Sequence, residues 1–170
     1  MNKTNFTISE DKKSLIVERS FRASQHNLWR AYTEKELFEQ WFAPQGWTVT
    51  TKKFDFVEGG ENIYVMRCED KAQGEWYGQV SAGKMVFSNI HPEDSYEYED
   101  FFTDEAGVVN ESLPGSKSSV QLSEQSDGST LLRVTTSYAT ADALQQVIEM
   151  GMEEGYGQTL DKLEQILQAL

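Results

Sequence analysis

The chain has 170 residues, 28 of them acidic and 15 basic, for a formal net charge of −13 at neutral pH. That sign opposes phosphate backbones and anionic bilayers, so neither nucleic acid nor membrane insertion is expected. An apolar fraction of 38% with 12% aromatics excludes a disordered chain and suffices for one packed domain, placed at residues 5–169. The single cysteine, Cys68, cannot form an internal disulfide. The N-terminal stretch lacks an apolar signal core, and no run reaches membrane-spanning length, so a cytoplasmic location is expected.

Leu15, Val17, Arg19 and Phe21 alternate with Ile16, Glu18 and Ser20, which predicts a first strand starting as early as Phe6. Ser24 stands where an N-cap belongs, ahead of a short amphipathic helix carrying Leu28, Trp29, Ala31 and Tyr32. Residues 33–36 (Thr-Glu-Lys-Glu) have the form of a capping box and open a second short helix, which Pro44 and Gly46 stop. Residues 47–57 read as a strand, Glu58-Gly59-Gly60-Glu61 as a hairpin turn and residues 62–68 as the return strand. Residues 75–90 read as a strand with a bulge at Ser81-Ala82-Gly83. A strand over 96–103, a loop over 105–117 and a hairpin around Ser126-Asp127-Gly128 complete the sheet.

Residues 141–170 contain no proline and predict one helix of about eight turns, capped by Thr140. Leu144, Ile148, Met152, Tyr156, Leu160, Leu163, Ile166 and Leu170 recur at three- and four-residue steps and form one apolar side. At about 100° per residue, Gly155 projects near the centre of that side and Gly151 beside it. Each glycine costs a helix interior roughly 1 kcal/mol against alanine. Two on a buried face imply either a close backbone contact or a space left for something else.

The element order is therefore β, α, α, six further strands, α: an α+β chain with a curved seven-stranded antiparallel sheet around a long C-terminal helix. This order resembles the helix-grip fold of the START-like (SRPBCC) superfamily, which includes polyketide-cyclase-like members. Within it the chain is similar to the family named after the activator of the 90-kDa heat-shock chaperone's ATPase. Four stretches carry the match: Val17-Glu18-Arg19 with Leu28-Trp29-Arg30-Ala31; Trp41-Phe42-Ala43-Pro44 with Gly46; Phe54-Asp55-Phe56 through Gly59-Gly60 to Val65-Met66-Arg67; and residues 149–163, EMGMEEGYGQTLDKL. The superfamily holds lipid carriers, receptors and cyclases, so the resemblance implies a fold more than a reaction.

No catalytic set emerges from the residues. His26 and His91 have no metal-ligand spacing, no phosphate loop is present, and Cys68 reads as a core residue. No metal, cofactor or catalytic residue is therefore assigned. The acidic run Glu93, Asp94, Glu97, Glu99, Asp100, Asp104 and Glu105 reads as a solvated strand edge. Ligand-lining candidates are Trp41, Phe42, Trp47, Phe54, Met66, Trp76, Met85 and Phe101 across the sheet and short helices. Gly151, Met152, Gly155 and Tyr156 are the candidates on the long helix, and Tyr77 and Tyr156 offer hydroxyls.

The leading expectation is a small apolar or aromatic molecule held in a chamber between sheet and helix. One alternative is a cyclase- or hydrolase-like enzyme acting on an aromatic or polyketide-type substrate there. The other is a chaperone-ATPase-activator-like interaction protein. The sequence leaves homodimerisation open.

Overall fold

A computed structural model describes residues 3–170. Eight strands form one antiparallel sheet in the order β1-β2-β8-β7-β6-β5-β4-β3. The extra strand comes from the N-terminus. β1 (Asn5–Ile8) is not an extension of β2 (Ser14–Phe21) but its hairpin partner. The polar residues between them turn the chain: Ser9 Oγ donates to Asp11 Oδ1 at 2.6 Å, and Lys12 adopts φ 60°. That left-handed position ends an extended strand.

α1 (Gln25–Thr33) begins as expected, with Ser24 Oγ accepting from Asn27 N at 3.1 Å. The capping box of α2 (Lys35–Trp41) does not form. Thr33 Oγ1 donates back to the Trp29 carbonyl at 2.8 Å, and Glu34 takes the N-cap position without a side-chain bond. β3 (Trp47–Phe54) and β4 (Glu61–Cys68) follow as a hairpin. Glu75 and Trp76, expected to open the next strand, instead close a 3-10 turn, Lys71–Trp76, with Asp70 Oδ1 accepting from Ala72 N. β5 (Val80–His91), β6 (Ser95–Thr103), β7 (Ser116–Glu124) and β8 (Thr130–Ser137) complete the sheet.

The C-terminal helix is interrupted. α3 (Ala141–Glu149) starts at Thr140, whose Oγ1 accepts from Ala143 N at 3.1 Å. It ends where Gly151 adopts φ 85°, and α4 (Met152–Leu167) resumes at once, with Gly155 N donating to the Gly151 carbonyl at 3.2 Å. A left-handed glycine is the usual way to terminate a helix, because it carries no Cβ to clash.

Alternation along the strands places Val17, Arg19, Phe21, Tyr64, Phe87, Tyr96, Val120, Leu132 and Val134 on the sheet's buried inner face. Leu160, Leu163 and Leu167 of α4 close the core from the other side. Each contributes about 1.5–3 kcal/mol by leaving water.

The helix register against the sheet is fixed by charge as well. Arg19 is buried on β2 and pairs with Asp161 at 2.8 Å and Glu164 at 3.0 Å on α4. Removing either acid would leave a buried guanidinium short of a partner. Lys162 Nζ ties the same helix to the loop after α2, donating to the Pro44 and Trp47 carbonyls, each at 3.1 Å. Among the described residues, no helix is long and apolar enough to cross a membrane.

Candidate ligand site at the helix break

The inner face of the sheet divides into a filled half and an open one. In the filled half, Phe87 packs against Phe56, Phe54 and Tyr96, with ring centroids 4.8, 6.1 and 6.0 Å away. Phe38 stacks on Phe42 at 4.4 Å, and Trp41 lies 4.7 Å from Tyr32 while its Nε1 donates to the Ala31 carbonyl. The space left among Tyr32, Phe38, Phe42, Asn62, Met85, Phe87, Tyr96, Tyr98 and Tyr156 is about 10 Å³, water-sized at most. Two buried polar atoms border it, Asn62 Oδ1 without a protein partner and Tyr32 Oη beside the Tyr156 hydroxyl. The large chamber expected between sheet and helix is thus occupied by core side chains.

The open half lies at the helix break. A cleft of about 150 Å³ is lined by Tyr64, Asp100, Phe101, Phe102, Pro114, Ser116, Tyr138, Val147 and Met152. Val147 comes from α3 and Met152 from α4, so the interruption at Gly151 divides the cleft's helical wall. Larger hollows of about 570 and 580 Å³ lie beside the β1–β2 turn and around Arg22 and Asp127, but these are broad and open to solvent.

Asp100 is the chemical centre of the cleft. It stands opposite Met85 on β5 and Ser116 on β7. Tyr64 Oη donates to its Oδ1 at 2.9 Å and lies 3.2 Å from its Oδ2. Burial raises the Asp100 carboxyl to about 7, while the Tyr64 hydroxyl and the Phe101 N–H pull it down. Tyr64 is itself pushed well above its ordinary range, by burial first and by the Asp100 charge second, so it keeps its proton and acts as donor. Across the cleft, burial raises Tyr138 to about 12, with Asp100 adding to the shift.

Gly83 makes this pair possible. It stands opposite Tyr64 on β4 and Phe102 on β6, and a Cβ there would sit 2.2 Å from Tyr64 Oη. The tyrosine therefore lies across a strand without a side chain at that point and reaches the next strand. The expected bulge at Ser81-Ala82-Gly83 is absent; pairing with β4 is regular there, and the shift in β5 falls between Ser88 and His91.

The predicted lining residues separate accordingly. Phe101 and Met152 border the cleft, while Phe42, Met85 and Tyr156 border the small internal void. Trp41 is fully buried, and Trp47, Phe54 and Met66 pack around the core, Trp47 Nε1 donating to Gln73 Oε1 at 3.3 Å. Trp76 and Tyr77 face outward, 57% and 48% exposed, because the 3-10 turn carries them off the sheet.

Neither glycine hollows the helix. Gly151 is exposed at the break, and a Cβ on Gly155 would meet only Pro44 Cγ, at an ordinary 3.6 Å. The sequence reading missed Asp100, Tyr64 and Tyr138. Asp100 shares strand parity with Tyr96 and Tyr98, a period-two signal that separates it from outward Glu97 and Glu99. Among the described residues, no three His, Cys, Asp or Glu side chains are grouped to hold a metal ion.

The architecture has a place among known proteins. The model for the family described as activator of Hsp90 ATPase homolog 1-like protein matches residues 22–168. The chain belongs to this family. A crystal structure from Mycobacterium smegmatis is similar at a TM-score of 0.87 and 26% identity, covering 100% of this chain and 99% of its own. A solution structure from Staphylococcus epidermidis is 33% identical over 96% of this chain and 95% of its own, with a TM-score of 0.79. The AHSA1 protein of Silicibacter pomeroyi, 20% identical with a TM-score of 0.71, covers 92% of this chain and 98% of its own and shares the fold. The comparison with curated proteins gave no match. The START-like helix-grip expectation therefore holds for this AHSA1-like chain, with eight strands in place of seven.

Proposed function

We propose that this AHSA1-like protein binds a small, largely apolar molecule in the cleft at the helix break, within the cytoplasm. The observation that carries this reading is a half-buried carboxylate, Asp100, held by Tyr64 in a cleft whose other walls are Phe101, Phe102, Pro114, Val147 and Met152, with the side chains of Ser116 and Tyr138. Apolar walls with a few converging polar groups are the usual composition of a small-molecule site.

Native mass spectrometry of freshly purified protein is expected to show a co-purifying small molecule. Titration with 2-phenylethanol is expected to shift the backbone NMR resonances of Phe101, Phe102, Ser116, Val147 and Met152. Shifts confined to the exposed Trp76–Tyr77 surface, or none, would overturn the reading.

The Tyr64–Asp100 pair favours a second reading, that of an enzyme. A carboxyl that titrates near neutrality beside a tyrosine proton suits general acid–base chemistry on a substrate in the cleft. Deuterium uptake at the α-carbon of phenylacetone in heavy water, faster with wild type than with Asp100→Asn, is the expected sign. Equal rates would remove this reading and leave the binding function standing.

A further inference from the structure

We propose that the molecule seated in the cleft carries an amine, and that Asp100 is its counter-ion; this rests on the cleft reading above. The lining residues include one charged side chain, Asp100. The other polar side chains are the hydroxyls of Tyr64, Ser116 and Tyr138.

The cations on the strands around Asp100 are engaged elsewhere. Lys84 on β5 pairs with Glu61 at 3.5 Å, Arg67 on β4 with Glu105 at 3.2 Å, and Lys117 on β7 with Glu97 at 3.9 Å. Among the described residues, no ion pair reaches Asp100. Tyr64 spends its single proton on the carboxylate, which retains further acceptor directions.

A desolvated carboxylate without a cation is costly, and an ammonium group in the cleft would relieve that cost with a charge-assisted hydrogen bond. The rings of Tyr64, Phe101, Phe102 and Tyr138 add surfaces that favour a cation over a neutral group. The net charge of −13 draws cations toward the protein and repels carboxylates.

The groups facing Asp100 leave its charge as the one variable near neutrality. Tyr64 on β4, Tyr98 on β6 and Tyr138 just beyond β8 all keep their protons, because burial raises each of them. β5, β7, α3 and α4 contribute Met85, Ser116, Val147 and Met152, none of which titrates. With its carboxyl near 7, Asp100 is mostly ionised at pH 8 and mostly protonated at pH 6, whereas a simple alkylamine stays charged throughout.

The probes are 2-phenylethylamine, 2-phenylethanol and phenylacetate, titrated by calorimetry. At pH 8 the amine is expected to bind at least about tenfold more tightly than the alcohol, and phenylacetate not at all. Lowering the pH to 6 should weaken the amine about tenfold and leave the alcohol unchanged. Asp100→Asn should abolish the amine's advantage while the alcohol still binds. Tyr64→Phe, which keeps the carboxylate, should retain the preference.

Equal affinities for amine and alcohol in wild type would overturn the proposal while sparing the cleft. So would an amine preference that survives Asp100→Asn. If neither amine nor alcohol binds, the cleft reading itself fails and takes the amine with it.

Discussion

Phe87 and Asp100 lie on neighbouring strands of the same sheet face, yet their surroundings differ in kind. Phe87 sits among rings from three directions, with residual space of about 10 Å³ nearby. Asp100, two residues beyond the Tyr98 that faces Phe87, looks into a cleft of about 150 Å³ where the helical chain is interrupted. The unfilled volume follows a break in the backbone rather than a shortage of side chains. It is also where a polar group has been left half-buried. The filled half holds the fold, and the open half is where the proposed ligand would sit.

Truncating a side chain in each half gives the largest expected contrast. Phe87→Ala removes a ring from a closed environment and should destabilise the protein by about 3–5 kcal/mol. Met152→Ala, at the cleft wall where water already reaches, should cost less than about 1.5 kcal/mol. Urea denaturation of the two variants measures this directly. Equal losses would mean the cleft is as tightly packed as the core.

Acid–base behaviour separates the halves next. In the unfolded chain Asp100 ionises near 3.8, whereas in the folded protein it holds its proton to about 7. Between these values the native state binds more protons, so this residue makes stability fall as pH rises from about 4 to 7 and has no further effect above. Asp100→Asn removes the dependence and should gain on the order of 4 kcal/mol over wild type at pH 8, but little at pH 4. Denaturation curves at the two pH values test the sign. A variant equally stabilised at both would show that Asp100 does not titrate in this range.

The sequence made the element order readable because strand alternation and helix caps are local signals. Ser24 and Thr140 cap their helices as their positions suggest, each accepting from a backbone N–H three residues on. The site was harder to read because its parts depend on backbone events that composition does not mark. Projecting residues 141–170 on one continuous wheel placed Gly151 on a buried face, whereas its positive φ ends the wheel there and restarts it. Treating residues 93–105 as one acidic stretch hid the parity that turns Asp100 inward. Cross-strand reach was invisible as well. Nothing in the immediate sequence around Gly83 says that the phenol of Tyr64 will lie over it.

That reach supports a third prediction. Gly83→Ala should cost about 1–3 kcal/mol, because its Cβ would fall 2.2 Å from Tyr64 Oη and the ring must leave Asp100. In a Tyr64→Ala background the same substitution should cost almost nothing, since the obstructing ring is gone. A double-mutant cycle reads the coupling. Additive effects would mean that Gly83 is not what seats the tyrosine.

The smallest effect tests the origin of the cleft. Gly151 holds φ 85° with open space around its missing Cβ, so the cost of Gly151→Ala is conformational rather than steric. About 1 kcal/mol should be lost, and the break should shift toward a continuous helix, changing the spacing of Val147 and Met152 across the cleft. Gly155 is the opposite case, a helical position whose new methyl would meet Pro44 Cγ at 3.6 Å. Gly155→Ala should therefore stabilise the protein by about 0.5–1 kcal/mol through helix propensity, with the cleft unchanged. Thermal melts give both signs, and 2-phenylethanol titration shows whether only the first substitution disturbs binding. If both alanines stabilise, the helix tolerates continuity at residue 151, and the interruption is not what keeps the cleft open.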